Sequence, residues 1–517
     1  MKAKIPFIIL VTALLFAACS KDSEVEDTGN EVEDPDADLT DEEYTNRWIY
    51  DQMRRIYLWN EELPASPDYT QNPENFFYNI LYRYREVSGD RFSWIEKDMS
   101  KRPETNPDVT PGNAGATPGF SCIPMNYFPD TVESTFSSVG LFVTAVDKGS
   151  DAQAKGLKRG QIIYQVNGTS INYDNYGTIL GNLTSCTLGV YNSQGEKEVL
   201  TPFSASAPKP SPVFISKVIT SSGVKIGYLM YNAFERNSTD RSDSYEYDIE
   251  LIQSIQNLKD QGITEFVLDL RYNFGGYLTS AMNLASALVP NRSTEKIFAK
   301  EQHNAYYADS LKKIYGEGVF NEYFLDKVYG TNVEIPRLNL SRLYVITTSY
   351  TASASELVIH GLKPYMDVHH TGLTTVGKDK ASMTIKSDDK RVLWQLQPLI
   401  SRLTDANDVG NYIYGLEPDY KISEWEEGYQ TLVAYYTDDN GNRVDIQLPL
   451  LSPWKGGLYE LGEPQEPLLA AAIAQITGVP RTKSLTKSLK SAAPANWVPK
   501  RVPQIKFPEK AITIVDR

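Results

Sequence analysis

Cysteine is scarce in this chain, 3 of 517 residues, which excludes a disulfide framework and the CxxC pairs of a structural zinc site. Histidine is nearly as scarce: His303, His360, His369 and His370 are the complete set. With no HExxH pair among them, no metal centre is expected, and the absence of a GK[ST] phosphate loop removes nucleotide chemistry. No cofactor is therefore implied. Positive charge is also in deficit, 51 basic against 66 acidic residues for a net charge of −15, which argues against holding nucleic acid by a basic surface. Beyond the N-terminus no run of eighteen apolar residues occurs, so no second membrane anchor is expected. What is present is core material: 41% hydrophobic residues, with 33 Tyr, 18 Phe and 7 Trp. That is enough for roughly three packed domains.

The N-terminus reads as an address. Lys2 and Lys4 precede an apolar run from Ile5 to Ala18, too short to span a bilayer but of the length of a secretory leader. It closes with Leu15-Phe16-Ala17-Ala18-Cys19, which resembles a bacterial lipobox, where small residues admit the leader peptidase and the cysteine thiol receives the lipid. Residues 1–19 are thus expected to be a lipoprotein signal peptide, with Cys19 tethering the mature chain to a membrane. Residues 20–43 follow as an acidic spacer, with twelve acidic residues and one Lys from Lys21 to Glu43, a composition that resists collapse. Acidic residues placed there also resemble the export signal of surface lipoproteins in Bacteroidetes; a plain linker is the other reading. The expected location is the outer membrane, facing the periplasm or the cell surface.

Residues 44–102 carry aromatic and aliphatic side chains (Trp48, Ile49, Met53, Ile56, Tyr57) at near-helical spacing, a small helical module. A Pro- and Gly-rich linker follows. Residues 120–205 break into short β-type runs, and 211–480 alternate strands with helices, which implies an α/β domain with a substantial parallel sheet. The expected strands there include Lys225–Tyr231, Glu265–Leu270 and Leu343–Thr348, and the expected helices Tyr247–Leu258, Tyr277–Leu288 and Ser353–Leu362. The last segment, 481–517, has nine basic and two acidic residues with four Pro and reads as an extended tail. Whether Cys122 and Cys186 pair is left open by the sequence.

Three segments of the α/β region bear chemistry. Strand Leu343–Thr348 runs into Ser349-Tyr350-Thr351-Ala352-Ser353-Ala354-Ser355-Glu356 ahead of an apolar helix. Small residues at such a junction let a hydroxyl stand clear of the sheet while the first helical N–H groups face the reacting centre. Serine is also a common helix cap. The segment Asp269-Leu270-Arg271-Tyr272-Asn273-Phe274-Gly275-Gly276 ends in a double glycine, whose missing β-carbons allow backbone N–H groups close to a ligand, as an oxyanion hole requires; a tight turn is the alternative. Lys378, in Val376-Gly377-Lys378-Asp379-Lys380, can be a general base only when neutral. From an ordinary pKa of about 10.4 that state costs roughly 4.6 kcal/mol at pH 7, so burial has to supply it. A neutral amine beside a serine hydroxyl makes a Ser-Lys dyad.

Together, DLRxNxGG, TASASE and GK at this interval resemble the C-terminal processing peptidases, or tail-specific proteases. The resemblance covers about residues 120–400 and implies Ser353 as nucleophile, Lys378 as general base, and Gly275 or Gly276 with the N–H of Ala354 as the oxyanion hole. Glu356 matches the acidic residue that follows the nucleophile in that family and is expected to orient its neighbours. Many relatives carry Gln four residues after the lysine; here Ser382 stands there, leaving the third member of the site open. The family likeness also implies a core related to Clp protease and crotonase. The run Gly149–Ile163 with Val166-Asn167-Gly168 resembles a PDZ domain of the bacterial protease-associated type, which makes Val139-Gly140-Leu141-Phe142 the expected carboxylate-binding loop, Gly140, Leu141 and Phe142 contacting the peptide. The implied partners are unfolded or extended polypeptides with free C-termini. The competing readings are a non-catalytic peptide- or ligand-binding surface lipoprotein on the same scaffold, and an adaptor that gathers partners.

Overall fold

The computed structural model describes residues 38–98, 101, 118–127, 138–181, 183–192, 196–205, 211–238, 244–424, 431–437, 443–449 and 458–480. The leader, Cys19, most of the acidic spacer and the basic tail lie outside the described residues. The described residues form two compact units, one of those before Arg102 with Ser382–Leu399, the other of the remainder.

In the first unit, helix α1 (Asp41–Ile56) opens on a capping box. Glu43 N donates to Thr40 Oγ1 at 3.2 Å, and Thr40 N donates to Glu43 Oε2 at 2.9 Å. Asp41, Glu42 and Glu43, expected to close a solvated spacer, instead form the first helical turn, where the positive end of the helix dipole favours acids. The helix buries Ile49, Met53 and Ile56 against Phe76 and Phe77 of α2 (Pro73–Asn79). Asn72 caps α2 and Pro73 starts it, and the turn that follows it places Arg83 and Arg85 at positive φ of 45° and 73°. The module is not wholly helical. Strand β1 (Trp94–Lys97) pairs antiparallel with Trp394–Gln397, a partner too distant in sequence for local periodicity to reveal.

The second unit contains a β-rich subdomain and the α/β core. The subdomain sheet runs in the order β2 (Phe120–Tyr127), β3 (Ser138–Val146), β4 (Ile162–Val166), β5 (Leu188–Tyr191) and β6 (Lys197–Val199), around Leu141, Val143, Ile163, Leu188 and Val190. Cys122 and Cys186 are free thiols. Burial pushes the first up to about 12 and the second to about 11, which keeps both protonated and unreactive.

The core sheet is ordered β12 (Tyr420–Lys421), β11 (Asp367–Gly372), β10 (Arg342–Thr347), β9 (Glu265–Asp269), β8 (Val224–Tyr231) and β7 (Val213–Ser221). All neighbours are parallel except the β7–β8 hairpin. The core's helices include α3 (Glu246–Asp260), α4 (Leu278–Leu288), α5 (Ala354–Leu362) and α6 (Pro467–Thr477). The sequence reading of this region holds to within a few residues at each element, since buried parallel strands read as apolar runs and their helices as 3.6-residue stripes. Tyr228, Met230, Val267, Tyr344 and Ile346 on one face of the sheet pack with Leu468, Leu469, Ala472 and Ile476 of α6. The α/β class stands, and the loops leaving the C-terminal ends of β9 and β10 carry the chemistry-bearing motifs, as open parallel sheets dictate.

One buried ionic cluster fixes the loop after β9. Arg271 is fully buried; its Nη2 donates to Asp269 Oδ2 at 2.7 Å, while Nη1 and Nη2 reach Glu466 Oε1 and Oε2 at 2.6 and 2.7 Å. Tyr228 Oη adds a 2.7 Å bond to Asp269 Oδ2. From the subdomain, Arg159 Nη2 reaches Glu424 Oε2 at 2.8 Å, and Tyr272 Oη donates to the same oxygen at 2.6 Å. Burial works against the charge on Glu466, but Arg271 outweighs it and holds that carboxyl below its ordinary range. Removing one partner of such a pair strands the other charge. Glu466→Ala is expected to lower the unfolding free energy by about 3–5 kcal/mol in denaturant titrations. Because the folded value is depressed, the stabilisation is complete above the pKa of an unfolded glutamate and disappears as pH falls through the lower folded value; Glu466→Gln should lose that acid dependence.

Candidate active site

Strand β10 ends in a turn that the sequence suggested only as a serine-bearing junction. Ser353 is fully buried and takes φ 59° and ψ −114° as the cap of α5, a conformation that costs a non-glycine residue on the order of 1–3 kcal/mol. The strain forces the chain through a sharp elbow. Among the described residues the Ser353 hydroxyl makes no hydrogen bond, so no histidine holds it. None of the four imidazoles serves it: His303 and His370 are buried neutral, with values pushed down to about 4, His360 bonds Val409 O, and His369 stacks on Tyr344.

Two oxygens of one carboxylate organise the site. Glu356, one turn into α5 and fully buried, accepts from Ser353 N at 2.7 Å and Lys378 N at 2.9 Å, both on Oε2. Its Oε1 accepts from Gly377 N at 2.7 Å and from the Thr375 hydroxyl. Two nitrogens bonded to the same oxygen at 2.7 and 2.9 Å lie at most 5.6 Å apart. The main chains of Ser353 and Lys378, 25 residues apart in sequence, are therefore side by side. Lys378 is itself fully buried. Burial raises the Glu356 carboxyl above its ordinary value, with the four donors pulling the other way. Four donors leave no lone pair facing another acid, so the ionised form is the one that completes the network.

The glycine loop closes on the same elbow. A β-carbon on Gly275 would stand 2.8 Å from Ser353 Cβ and 3.0 Å from Ala354 N, so the backbone there touches the nucleophile turn directly. Asn273 fastens the two loops together: its Nδ2 donates to Tyr231 O at 2.8 Å, and its carbonyl accepts from Ala352 N at 3.1 Å and Ser355 Oγ at 3.0 Å. Its Oδ1 accepts from Gly275 N at 2.8 Å. The Gly275 N–H is thus occupied within its own loop. Gly276 is the other glycine of the pair. It has φ 141° and abuts Phe234, whose oxygen a β-carbon would meet at 2.2 Å. Ala354 opens α5, and a first-turn N–H has no acceptor within its own helix.

One other expectation is corrected. Gly140, Leu141 and Phe142 are not a loop but the middle of β3, paired with β2 (Met125, Pro124, Ile123), while Leu141 and Phe142 also pair with β4 (Ile163, Ile162). Leu141 and Phe142, paired on both sides and buried, lie inside the sheet rather than in a loop that receives a peptide carboxylate. Ser382 is buried and accepts from Gln397 Nε2 at 3.1 Å. Sequence reasoning also passed over Asn273 and Thr375, polar residues inside quoted or neighbouring motifs, and Glu466, which no spacing rule could have linked to Arg271.

Among known proteins, residues 225–422 match Peptidase family S41 and residues 44–94 match the Peptidase S41 N-terminal domain. Residues 225–422 are thus similar to the core of the family S41 peptidases. A protein described as a CtpA-like serine protease of Staphylococcus aureus (strain N315) is 23% identical over 289 residues, covering 54% of this chain and 50% of that one. The Staphylococcus epidermidis (strain ATCC 12228 / FDA PCI 1200) counterpart is 23% identical over 288 residues with the same coverage. The chain thus spans about half the length of these relatives. The crystal structure of a Bacteroides fragilis NCTC 9343 protein assigned to the S41 proteases superposes with a TM-score of 0.60 at 25% identity, covering 84% of this chain and 97% of that one. The S41 match spans all three motifs singled out from the sequence.

The contact between Gly275 and the elbow leads to a direct test. In Gly275→Ala the added methyl meets Ser353 Cβ at a φ of 103°, and the rate of Ser353 labelling by a fluorophosphonate is expected to fall at least about tenfold. Labelling at the wild-type rate would mean that the loop does not abut the nucleophile as described.

Proposed function

We propose that this protein is a serine endopeptidase of the C-terminal processing type, acting through a Ser353–Lys378 dyad. The observation that carries this reading is the single Glu356 carboxylate gripping the main chains of both residues. The Ser353 hydroxyl stands uncommitted, and turnover begins when the neutral Lys378 amine comes within hydrogen-bonding reach of it. The amine takes the Oγ proton as Oγ attacks the scissile carbonyl. The N–H groups of Ala354 and Gly276 receive the developing oxyanion, and the strained elbow keeps Oγ at the edge of that hole. The ammonium then returns its proton to the departing amine of the substrate, leaving an ester on Ser353. Water, deprotonated by the same amine, cleaves the ester and restores the serine. A lysine acts in both directions because its proton is held and released at one atom.

In this reading the core is of the Clp protease and crotonase type, and the β-rich subdomain is PDZ-like. Its peptide site differs from the sequence expectation: β2 is the terminal strand of the subdomain sheet, and Gly119 before it has φ 77°. A substrate's C-terminal segment adds to the outer edge of β2. Substrates are extended polypeptides with free, apolar C-termini. The lipid on Cys19 anchors the enzyme in the outer membrane, a reading that rests on the sequence alone.

The test uses the mature chain without its leader and an unstructured polypeptide ending in apolar residues. Cleavage is expected, with kcat falling by about 10⁴-fold in Ser353→Ala and in Lys378→Ala. Lys378→Arg should be equally inactive, because a guanidinium keeps its proton. An active Lys378→Arg enzyme would overturn the dyad; binding without cleavage by the wild-type chain would favour the non-catalytic surface lipoprotein. Amidation of the substrate's C-terminus is expected to lower kcat/KM, and an unchanged value would remove the C-terminal specificity.

A further inference from the structure

The lysine-bearing loop has a second support, from a segment that none of the sequence motifs includes. Thr375 is buried. Its Oγ1 accepts from Leu416 N at 2.7 Å and also bonds Glu356 Oε1. A hydroxyl has one proton. Since the Leu416 N–H is a donor, the Thr375 proton belongs to the Glu356 bond, and the chain of donors runs one way, from Leu416 through Thr375 into the carboxylate. The backbones interlock as well. Thr375 N donates to Leu416 O at 3.2 Å. A β-carbon on Gly377 (φ 86°) would lie 2.4 Å from Ile413 O, and one on Gly415 (φ 94°) would lie 2.2 Å from Thr375 O. On its other side the lysine loop is tied to the nucleophile turn by Val376 N, which donates to Thr351 O at 3.0 Å.

The 409–416 segment is fastened to α5, the helix that Ser353 caps. His360 Nε2 lies 2.8 Å from Val409 O, and the His360 ring packs on the Tyr412 ring with centroids 5.0 Å apart. One end of the segment thus holds the nucleophile's helix and the other holds the lysine loop.

We propose that the 412–416 turn is a positioning clamp and that Thr375 is its working residue, a positioning residue that fixes Lys378 relative to Ser353 by saturating the Glu356 carboxylate. Thr375 touches no reacting atom. Its loss leaves Glu356 Oε1 one donor short and the Leu416 N–H without an acceptor, so the lysine main chain gains freedom while the substrate site is untouched. The kinetic consequence rests on the peptidase reading; the consequence for amide exchange does not.

Thr375→Val removes the hydroxyl and keeps the shape, and Thr375→Ser keeps the hydroxyl. In Thr375→Val, hydrogen exchange of the peptide spanning residues 374–379 is expected to accelerate by about tenfold or more. In the same variant kcat should fall by about 30-fold or more with KM changed little, since only dyad alignment is affected. Thr375→Ser should restore most of both. If the valine variant does not fold, Thr375→Ala takes its place. Unchanged exchange overturns the clamp, and faster exchange with wild-type kcat overturns its positioning role. Faster exchange in a chain whose wild type shows no Ser353-dependent cleavage leaves the clamp standing and ends the peptidase reading.

Discussion

A fully buried carboxylate with four donors is an unusual thing for a core to contain, and the arrangement around Glu356 depends on it. Desolvating a carboxylate is unfavourable unless each lone pair finds a proton. Here the protons come from Ser353 N, Lys378 N, Gly377 N and the Thr375 hydroxyl, from two loops that leave the ends of different strands. The cost of burying Glu356 is what compels those loops to converge. Were either displaced, an ionised acid would face an apolar interior with donors missing. The main chains of Ser353 and Lys378 are thus brought side by side.

A second constraint acts from below. The Asp269–Arg271–Glu466 cluster anchors the start of the glycine loop in the sheet, and Asn273 passes that anchorage on to the nucleophile turn through its carbonyl and side chain. Strain at Ser353 persists because both sides of the elbow are held, one by Asn273 and one by Glu356. Glycine is required at 275 and 276 for a steric reason at each: the first faces the nucleophile and the second faces Phe234.

Much of this was legible in the chain. Strands β8, β9 and β10 appear as apolar runs, α3 and α5 as striped helices, and Ser353, Lys378, Glu356 and the double glycine as small or chemically reactive residues where strands end. What stayed hidden involves direction and distance. Val139 to Phe142 has the composition of a glycine-containing loop, and only pairing on both edges identifies it as an interior strand. The choice between Gly275 and Gly276 turns on which N–H Asn273 already takes, a matter of dihedral angles that residue spacing cannot express. Glu466 and the 412–416 turn act through contacts made long after their sequence neighbourhoods end, as does the strand Trp394–Gln397 that completes the N-terminal module.

The measurement that bears most directly on the shared carboxylate is the rate of Ser353 acylation in Glu356→Gln. The amide keeps the size of the acid but turns one acceptor into a donor facing two other donors. If one carboxylate aligns both halves of the dyad, acylation falls by about 100-fold or more while circular dichroism reports an intact fold. A folded Glu356→Gln protein that acylates at the wild-type rate would contradict the account.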